Sequence, residues 1–245
     1  MKKYTFISIF LLLGFSSLNA QTFGFGCLGL SGFYGGYGIH TYEASGLNQS
    51  LNSVHNNLSP QSGTINFEKA TGFRAGANIL RADFNKVFIT AKGFFQFSKE
   101  TKNFEFTTGT DPSKLDLELI TNHWGIGIDF GFPVFSFLNL KLIEGGVTFY
   151  NIEFKEKLFV NDEEISDEAY TNDETEIGYY VGTGLIINLI EGYISIEGSA
   201  MYHFYKIDSV QNSDGISYPI ASVNSPFIEK GGFAAAVQLN IGFPL

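Results

Sequence analysis

The stretch that decides the fold is the last one, FIEKGGFAAAVQLNIGFPL, Phe227 to Leu245. One parity carries Phe233, Ala235, Val237, Leu239, Ile241 and Phe243. The other carries Ala234, Ala236, Gln238, Asn240 and Gly242. Successive side chains of a strand point to opposite faces, so this spacing predicts one long β-strand with an apolar face and a small or polar face. Ending a chain on such a strand, with an aromatic residue close to the terminus, is an arrangement suited to a closed barrel. The rest of the chain has to supply the other strands.

Alternation and turn residues divide the chain into eight strands, at roughly Phe23–Tyr42, Phe67–Ala82, Lys86–Phe106, Leu115–Val134, Phe137–Val160, Glu176–Leu189, Tyr193–Asp208 and Phe227–Phe243. The connections alternate in length. Glu43–Asn66, Thr107–Lys114, Asn161–Thr175 and Ser209–Pro226 read as long and polar. Asp83–Asn85, Phe135–Ser136 and Ile190–Gly192 read as tight turns. Barrels of the outer membrane have short periplasmic turns and longer extracellular loops. The expectation is an all-β, eight-stranded antiparallel up-and-down transmembrane barrel with both termini periplasmic and four long extracellular loops.

The N-terminus agrees. Lys2 and Lys3 precede an apolar run, Phe6 to Phe15, that is too short to span a bilayer, and Leu18-Asn19-Ala20 follows. Residues 1–20 read as a secretory signal peptide and 21–245 as one barrel domain. The chain holds 28 Gly and 26 Phe, and its mean hydropathy is +0.06. Without Lys2 and Lys3, 13 basic residues face 25 acidic ones, a net charge of −12. That balance excludes nucleic acid as a partner, which needs a basic face. The lone Cys27 cannot form an internal disulfide and reads as a packing residue.

Two barrels fit such alternation. A soluble, lipocalin-like ligand binder buries its apolar face; a membrane barrel turns it to lipid and fills its lumen with the polar one. Here the polar face is mostly Gly, Ser, Asn and Thr, while charges gather in the loops, which favours the membrane barrel. Tyr193 and Phe243 on the turn side, and Phe104, Phe106, Tyr170 and Phe227 towards the loops, read as interfacial girdles. The lumen would hold Arg74, Lys92, Asp129, Glu144, Glu197, His203, Lys230 and Gln238. Arg74 and Lys92 are expected to pair with Asp129 and Glu197, because buried charges need partners. The fifth strand breaks the pattern: Leu138, Leu140 and Leu142 share a parity with Glu144. A bulge near Glu144-Gly145-Gly146 would turn that carboxylate inward.

On the Asn19-Ala20-Gln21 signal end, the eight-strand rhythm and the terminal strand from Gly231-Gly232-Phe233 to Gly242-Phe243, the chain resembles the small outer-membrane barrels of the OmpA/OmpX type, including the porin-family barrels of the Bacteroidetes. The resemblance covers all of 21–245. It implies a bacterial outer-membrane location, contact with outer-membrane lipid and lipopolysaccharide, and assembly by the barrel-assembly machinery, with Phe243 as the assembly signal. Pro244 and Leu245 extend past that aromatic. It implies no cofactor.

Chemical motifs are few. Gly24-Phe25-Gly26-Cys27-Leu28-Gly29 matches a dinucleotide fingerprint by letter but has no strand before it and no helix after it. His40, His55, His123 and His203 lack metal-ligand spacing; His123 and His203 can both face the lumen and approach each other, as satisfied interior histidines. Glu197, Ser199 and His203 share a face and sketch an acyl-transfer site of the kind a lipid-modifying barrel would carry. The segment from Asp162 to Glu174 holds Asp162, Glu163, Glu164, Asp167, Glu168, Asp173 and Glu174 and no base. It reads as a solvated, self-repelling loop, with weak Ca²⁺ bridging to lipopolysaccharide as a sharper alternative. Leu47, Leu51, Val54 and Leu58 recur at helical spacing and predict a short helix that could cap the barrel mouth. The function expected is structural, or binding of an extracellular or envelope protein through the loops, with a lumen too narrow for a wide pore. A lipid A deacylase or acyltransferase and a secretion-machinery subunit are the alternatives.

Overall fold

A computed structural model describes residues 31–58, 64–84, 86–108, 111–219 and 223–242. The signal segment, Cys27 and Phe243 lie outside the described residues. The elements are β1 (Gly32–Glu43), α1 (Ser45–Leu58), β2 (Lys69–Phe84), β3 (Val87–Thr108), β4 (Asp111–Phe135), β5 (Leu138–Val160), β6 (Glu163–Thr171), β7 (Glu176–Ile190), β8 (Ile194–Phe204), β9 (Val210–Gln211), β10 (Ser217–Tyr218) and β11 (Lys230–Gly242). Eight of the strands close a ring in the order β1-β2-β3-β4-β5-β7-β8-β11 and back to β1, every junction antiparallel. Gly32 pairs with Gly242, so both ends of the barrel sequence lie on the side of the tight turns.

The connections on the other side differ from the expected four long loops. β3 and β4 stay paired up to Thr108 opposite Asp111, so the segment expected as a loop at 107–114 is mostly hairpin. The cause is that alternation continues there: Phe104 and Phe106 of β3 and Leu115 and Leu117 of β4 all turn to one side. The acidic segment is likewise a strand. β6 folds back on β5, with Asp167 opposite Lys157, whose ammonium lies 2.7 Å from Asp167 and 3.4 Å from Glu164. Cross-strand Lys157 offsets part of the repulsion that the bare sequence suggests. β3, β4, β5 and β6 thus rise beyond the ring as a four-stranded fin.

α1 is the expected helix, with Leu47 and Leu51 buried one turn apart. Two asparagines clamp the returning chain against it. Asn48 Nδ2 donates to Phe67 O at 3.1 Å and its Oδ1 accepts Phe67 N–H at 2.8 Å; Asn52 does the same with Ile65, at 2.8 Å each way. Gly46 lets the Pro226 carbonyl approach, since a Cβ there would sit 2.4 Å from that oxygen.

Two bulges set which side chains enter the lumen. In β5 the register slips between Lys141 and Glu144, and Leu142 and Ile143 both point outward, so Glu144 turns fully inward. The slip precedes Glu144, where the alternation suggested Glu144 to Gly146. In β11 the pairing jumps from Ala234 opposite His40 to Gly231 opposite Tyr42. This extra residue reverses parity. Lys230 therefore is not a lumenal residue: it is exposed and pairs with Glu43 at 2.7 Å on the loop rim.

Candidate functional site

The lumen is stacked in layers, named here from the turn side to the loop side. First comes an open vestibule of about 610 Å³ lined by Ser31, Asn78, Arg81, Asn139, Asn188, Tyr193, Ser195 and Asn240, with Asp129 and Glu197 among its lining. It is a polar mouth, rich in amides and hydroxyls.

Beyond it lies a network of six buried charges. Lys92 Nζ is 2.9 Å from Asp129, 2.7 Å from Glu144 and 3.8 Å from Glu197. Lys141 Nζ bonds Glu144 and Glu197, lies 3.7 Å from Asp129, and donates to Ser199 Oγ at 2.9 Å. Arg74 reaches Glu144 at 3.9 Å, and its guanidinium carbon stands 3.9 Å over the centre of the Phe94 ring. Arg74, Lys92 and Lys141 balance Asp129, Glu144 and Glu197. The expected pairing holds for Lys92 but not for Arg74, which turns to Glu144. Lys141 is not among the lumenal residues expected from sequence. Two signals could have found it: it shares the parity of Asn139, opposite the leucines, and the other five charges sum to −1.

The bulk of the lumen depends on glycine. A Cβ at Gly76 would lie 2.4 Å from the Tyr34 ring, and one at Gly127 would lie 2.0 Å from the Tyr180 hydroxyl. The lean face of the strands is therefore room for aromatic rings from strands one or two places away in the ring.

The next layer is imidazole and phenol. His40, His123 and His203 come from β1, β4 and β8, and each is almost wholly buried. Their ring centres lie 4.8 Å apart for His40 and His203, 5.6 Å for His123 and His203, and 6.2 Å for His40 and His123. His203 Nδ1 and the Tyr150 hydroxyl are 2.6 Å apart. His40 and His123 have no hydrogen-bond partner at either ring nitrogen, and the Tyr180 and Tyr205 hydroxyls are also unpartnered. His123 and His203 approach each other inside the ring as expected, and His203 is satisfied at Nδ1; the expectation fails for His123, because strand walls carry no free backbone donors to reach into the lumen.

Last comes an apolar plug. Leu47 and Leu51 of α1, Phe67, Leu117, Leu119, Phe154, Tyr170, Ile207, Phe227 and Ile228 form one buried cluster over the loop-side mouth. Tyr170 and Phe227 belong to this plug, and Phe104 and Phe106 pack against it, so they are not the interfacial girdle the sequence suggested. At the plug's edge the Tyr218 hydroxyl donates to Glu156 at 3.0 Å. Burial raises the Glu156 carboxyl above its ordinary value, against the opposing effect of that hydrogen bond, with Glu168 adding to the rise.

The acyl-transfer arrangement is not assembled. Ser199 Oγ is held by Lys141, Glu144 and Glu197, while His203 is bonded to Tyr150. Among the described residues, the carboxylates of Asp129, Glu144 and Glu197 are the one trio whose ligand atoms converge within 4.8 Å, and Lys92 and Lys141 already bind them.

Outside, the distribution reverses that of a water-soluble protein. Phe73, Phe95, Trp124, Ile126, Ile128, Tyr179, Val181, Phe233, Val237 and Ile241 are all exposed, while the six charges of the lumenal network, and Glu100 above them, are buried. Phe84, Phe135, Phe137 and Tyr193 ring the turn side. An apolar band outside and a polar filling inside is the signature of a lipid-spanning barrel. The protein is a lipid-spanning β-barrel.

Its fold is similar to small outer-membrane barrels of known structure. Ail, the attachment invasion locus protein of Yersinia pestis, whose crystals include a complex with the heparin analogue sucrose octasulfate, shares 13% identity over 86% of this chain and 97% of Ail, with a TM-score of 0.41. Neisserial surface protein A shares 11% over 86% of this chain and 97% of its own, with a TM-score of 0.37. The outer membrane protease OmpT of Escherichia coli shares 10%, covering 87% of this chain and 94% of its own, with a TM-score of 0.36. No family model matches the sequence, and no curated protein matches it.

Proposed function

We propose that this barrel is a non-conducting, non-catalytic outer-membrane protein with both termini periplasmic, and that it works by binding an envelope or extracellular partner with its loop-side fin. The observation that carries this reading is the unequal division of charge between the two ends. The six lumenal charges cancel. In sequence, the tight-turn segments carry Arg81 and Lys86 against Asp83 and Glu191, a net charge of zero. The whole net charge of −12 that remains without Lys2 and Lys3 therefore lies on the loop side. A narrow barrel filled by side chains leaves no path for bulk solute. The large structured surface is instead the fin and α1. Electrostatic complementarity gives such a surface steering and selectivity towards basic partners, and divalent ions would let it approach anionic lipopolysaccharide.

Topology and closure are tested together in intact cells and planar bilayers. In a Cys27→Ser background, a membrane-impermeant maleimide is expected to label Asp162→Cys on whole cells and to leave Glu191→Cys unlabelled until the envelope is opened. The wild-type barrel in a planar bilayer is expected to give no stepwise current. Inverted labelling would refute the orientation, and steady conductance would refute the filled lumen.

A further inference from the structure

The histidine layer has a cost that the barrel does not otherwise offset. Buried polar atoms are normally hydrogen-bonded, and each one left without a partner costs about 1–3 kcal/mol. His40 and His123 leave four ring nitrogens in that condition, and the Tyr180 and Tyr205 hydroxyls add two more oxygens beside them. Neither the charge network nor the apolar plug uses these atoms. Three imidazoles from three different strands meeting at the centre of a lumen need a common partner.

We infer that His40, His123 and His203 together bind one divalent transition-metal ion, with Zn²⁺ or Cu²⁺ as the chemical class. Imidazole nitrogen suits these ions, whereas Ca²⁺ and Mg²⁺ take oxygen ligands. The spacing fits. With a metal–nitrogen distance of about 2.0–2.1 Å and tetrahedral angles, imidazole ring centres on one ion lie roughly 5 Å apart. The observed separations are 4.8, 5.6 and 6.2 Å. The nitrogens of the three rings do not yet converge within 4.8 Å of one another. Turning a ring about its Cβ–Cγ bond moves the nitrogens while its centre stays nearly in place, and this histidine torsion has a broad range. The surroundings also match a metal site. Tyr150 already holds the Nδ1 side of His203, the contact by which a neighbouring group fixes the orientation of a ligand ring. The unpartnered Tyr180 or Tyr205 hydroxyl, or a water bonded to one, supplies an oxygen as the fourth ligand.

Sequence spacing cannot show such a site. Metal motifs are read from ligands close together on one element, and here each ligand comes from a different strand, brought level by sheet register.

The test uses the full barrel, refolded without affinity histidines, with Cu²⁺ and Zn²⁺ salts as the probes. One equivalent of metal is expected to bind the wild type. Affinity is expected to fall by on the order of 100-fold in His123→Phe and by about 10-fold in Tyr150→Phe, the range seen when a supporting contact is removed. Gln replacement of Glu144 is expected to leave affinity unchanged. Pulsed electron paramagnetic resonance of the wild-type Cu²⁺ form reads imidazole nitrogens directly, so the inference stands or falls even if a variant does not fold. Absence of binding, a spectrum without imidazole coupling, or loss of binding in Glu144→Gln but not in His123→Phe would overturn it. The last result would move the metal to the carboxylates.

Discussion

The two ends of this barrel are filled by opposite means. At the turn side the lumen is a polar vestibule that leads down to Asp129 and Glu197. At the loop side it is an apolar cluster built from α1, the fin and residues 205–218 and 227–228. Between them lie the salt-bridged layer and the histidine layer. Burying charge is costly, and a buried ion network holds only if each ion keeps its partner. Burying apolar surface is favourable and tolerant of which residue does it. The comparison teaches that the membrane-embedded half depends on specific charge matching, while the loop-side half folds like the core of an ordinary soluble domain.

Substitutions should expose that difference. The largest effect is expected at Glu144, which contacts Lys92, Lys141 and Arg74. Glu144→Ala leaves buried cations short of a counter-charge and is expected to destabilise the whole barrel by about 3–5 kcal/mol. Guanidinium unfolding followed by the heat-modifiable gel shift measures this. An effect confined to the loop side would contradict the layered account. Phe154→Ala removes a ring that meets Phe67, Tyr218 and Phe227. It is expected to cost about 3 kcal/mol, felt as faster hydrogen exchange in α1 and the fin while the ring strands keep their protection.

A smaller effect follows from pH. The Glu156 carboxyl is easier to protonate in the folded state than in the unfolded one. Its contribution is therefore present below the unfolded value, near about 4.3, and is lost as pH rises through the raised folded value. Exchange protection around Tyr218 is expected to decline over that window in wild type and to be flat in Glu156→Gln. The smallest effect is expected from Lys157→Ala, which removes exposed pairs with Asp167 and Glu164. It should cost well under about 1 kcal/mol and vanish at high salt. A larger, salt-insensitive loss would mean that the fin depends on charge as the lumen does.

Much of the architecture was legible in the sequence because side-chain alternation has a fixed period. The ring strands, the tight turns and α1 follow from it. Position within the lumen was legible only as far as parity was unbroken. Glu144 was placed inward because a bulge was required to avoid a charge in lipid. Lys230 was misplaced because the bulge at Gly231 to Phe233 leaves little mark in a run of glycines and alanines. The fin was hidden by composition: Glu163 to Glu168 looks like a solvated loop until β5 supplies its lysines. The histidine layer was the least legible feature, since it exists only through the registers of β1, β4 and β8 with their neighbours.

The central claim is that the barrel is inside-out, and Trp124 tests it most directly. It is the only tryptophan in the chain, it is exposed on the outer face of β4, and it stacks on Phe149 at 4.0 Å. In bilayers containing lipids brominated along their acyl chains, the account predicts strong quenching of Trp124 fluorescence and little quenching by aqueous iodide. Quenching by iodide with indifference to brominated lipid would contradict the account and place that face in water.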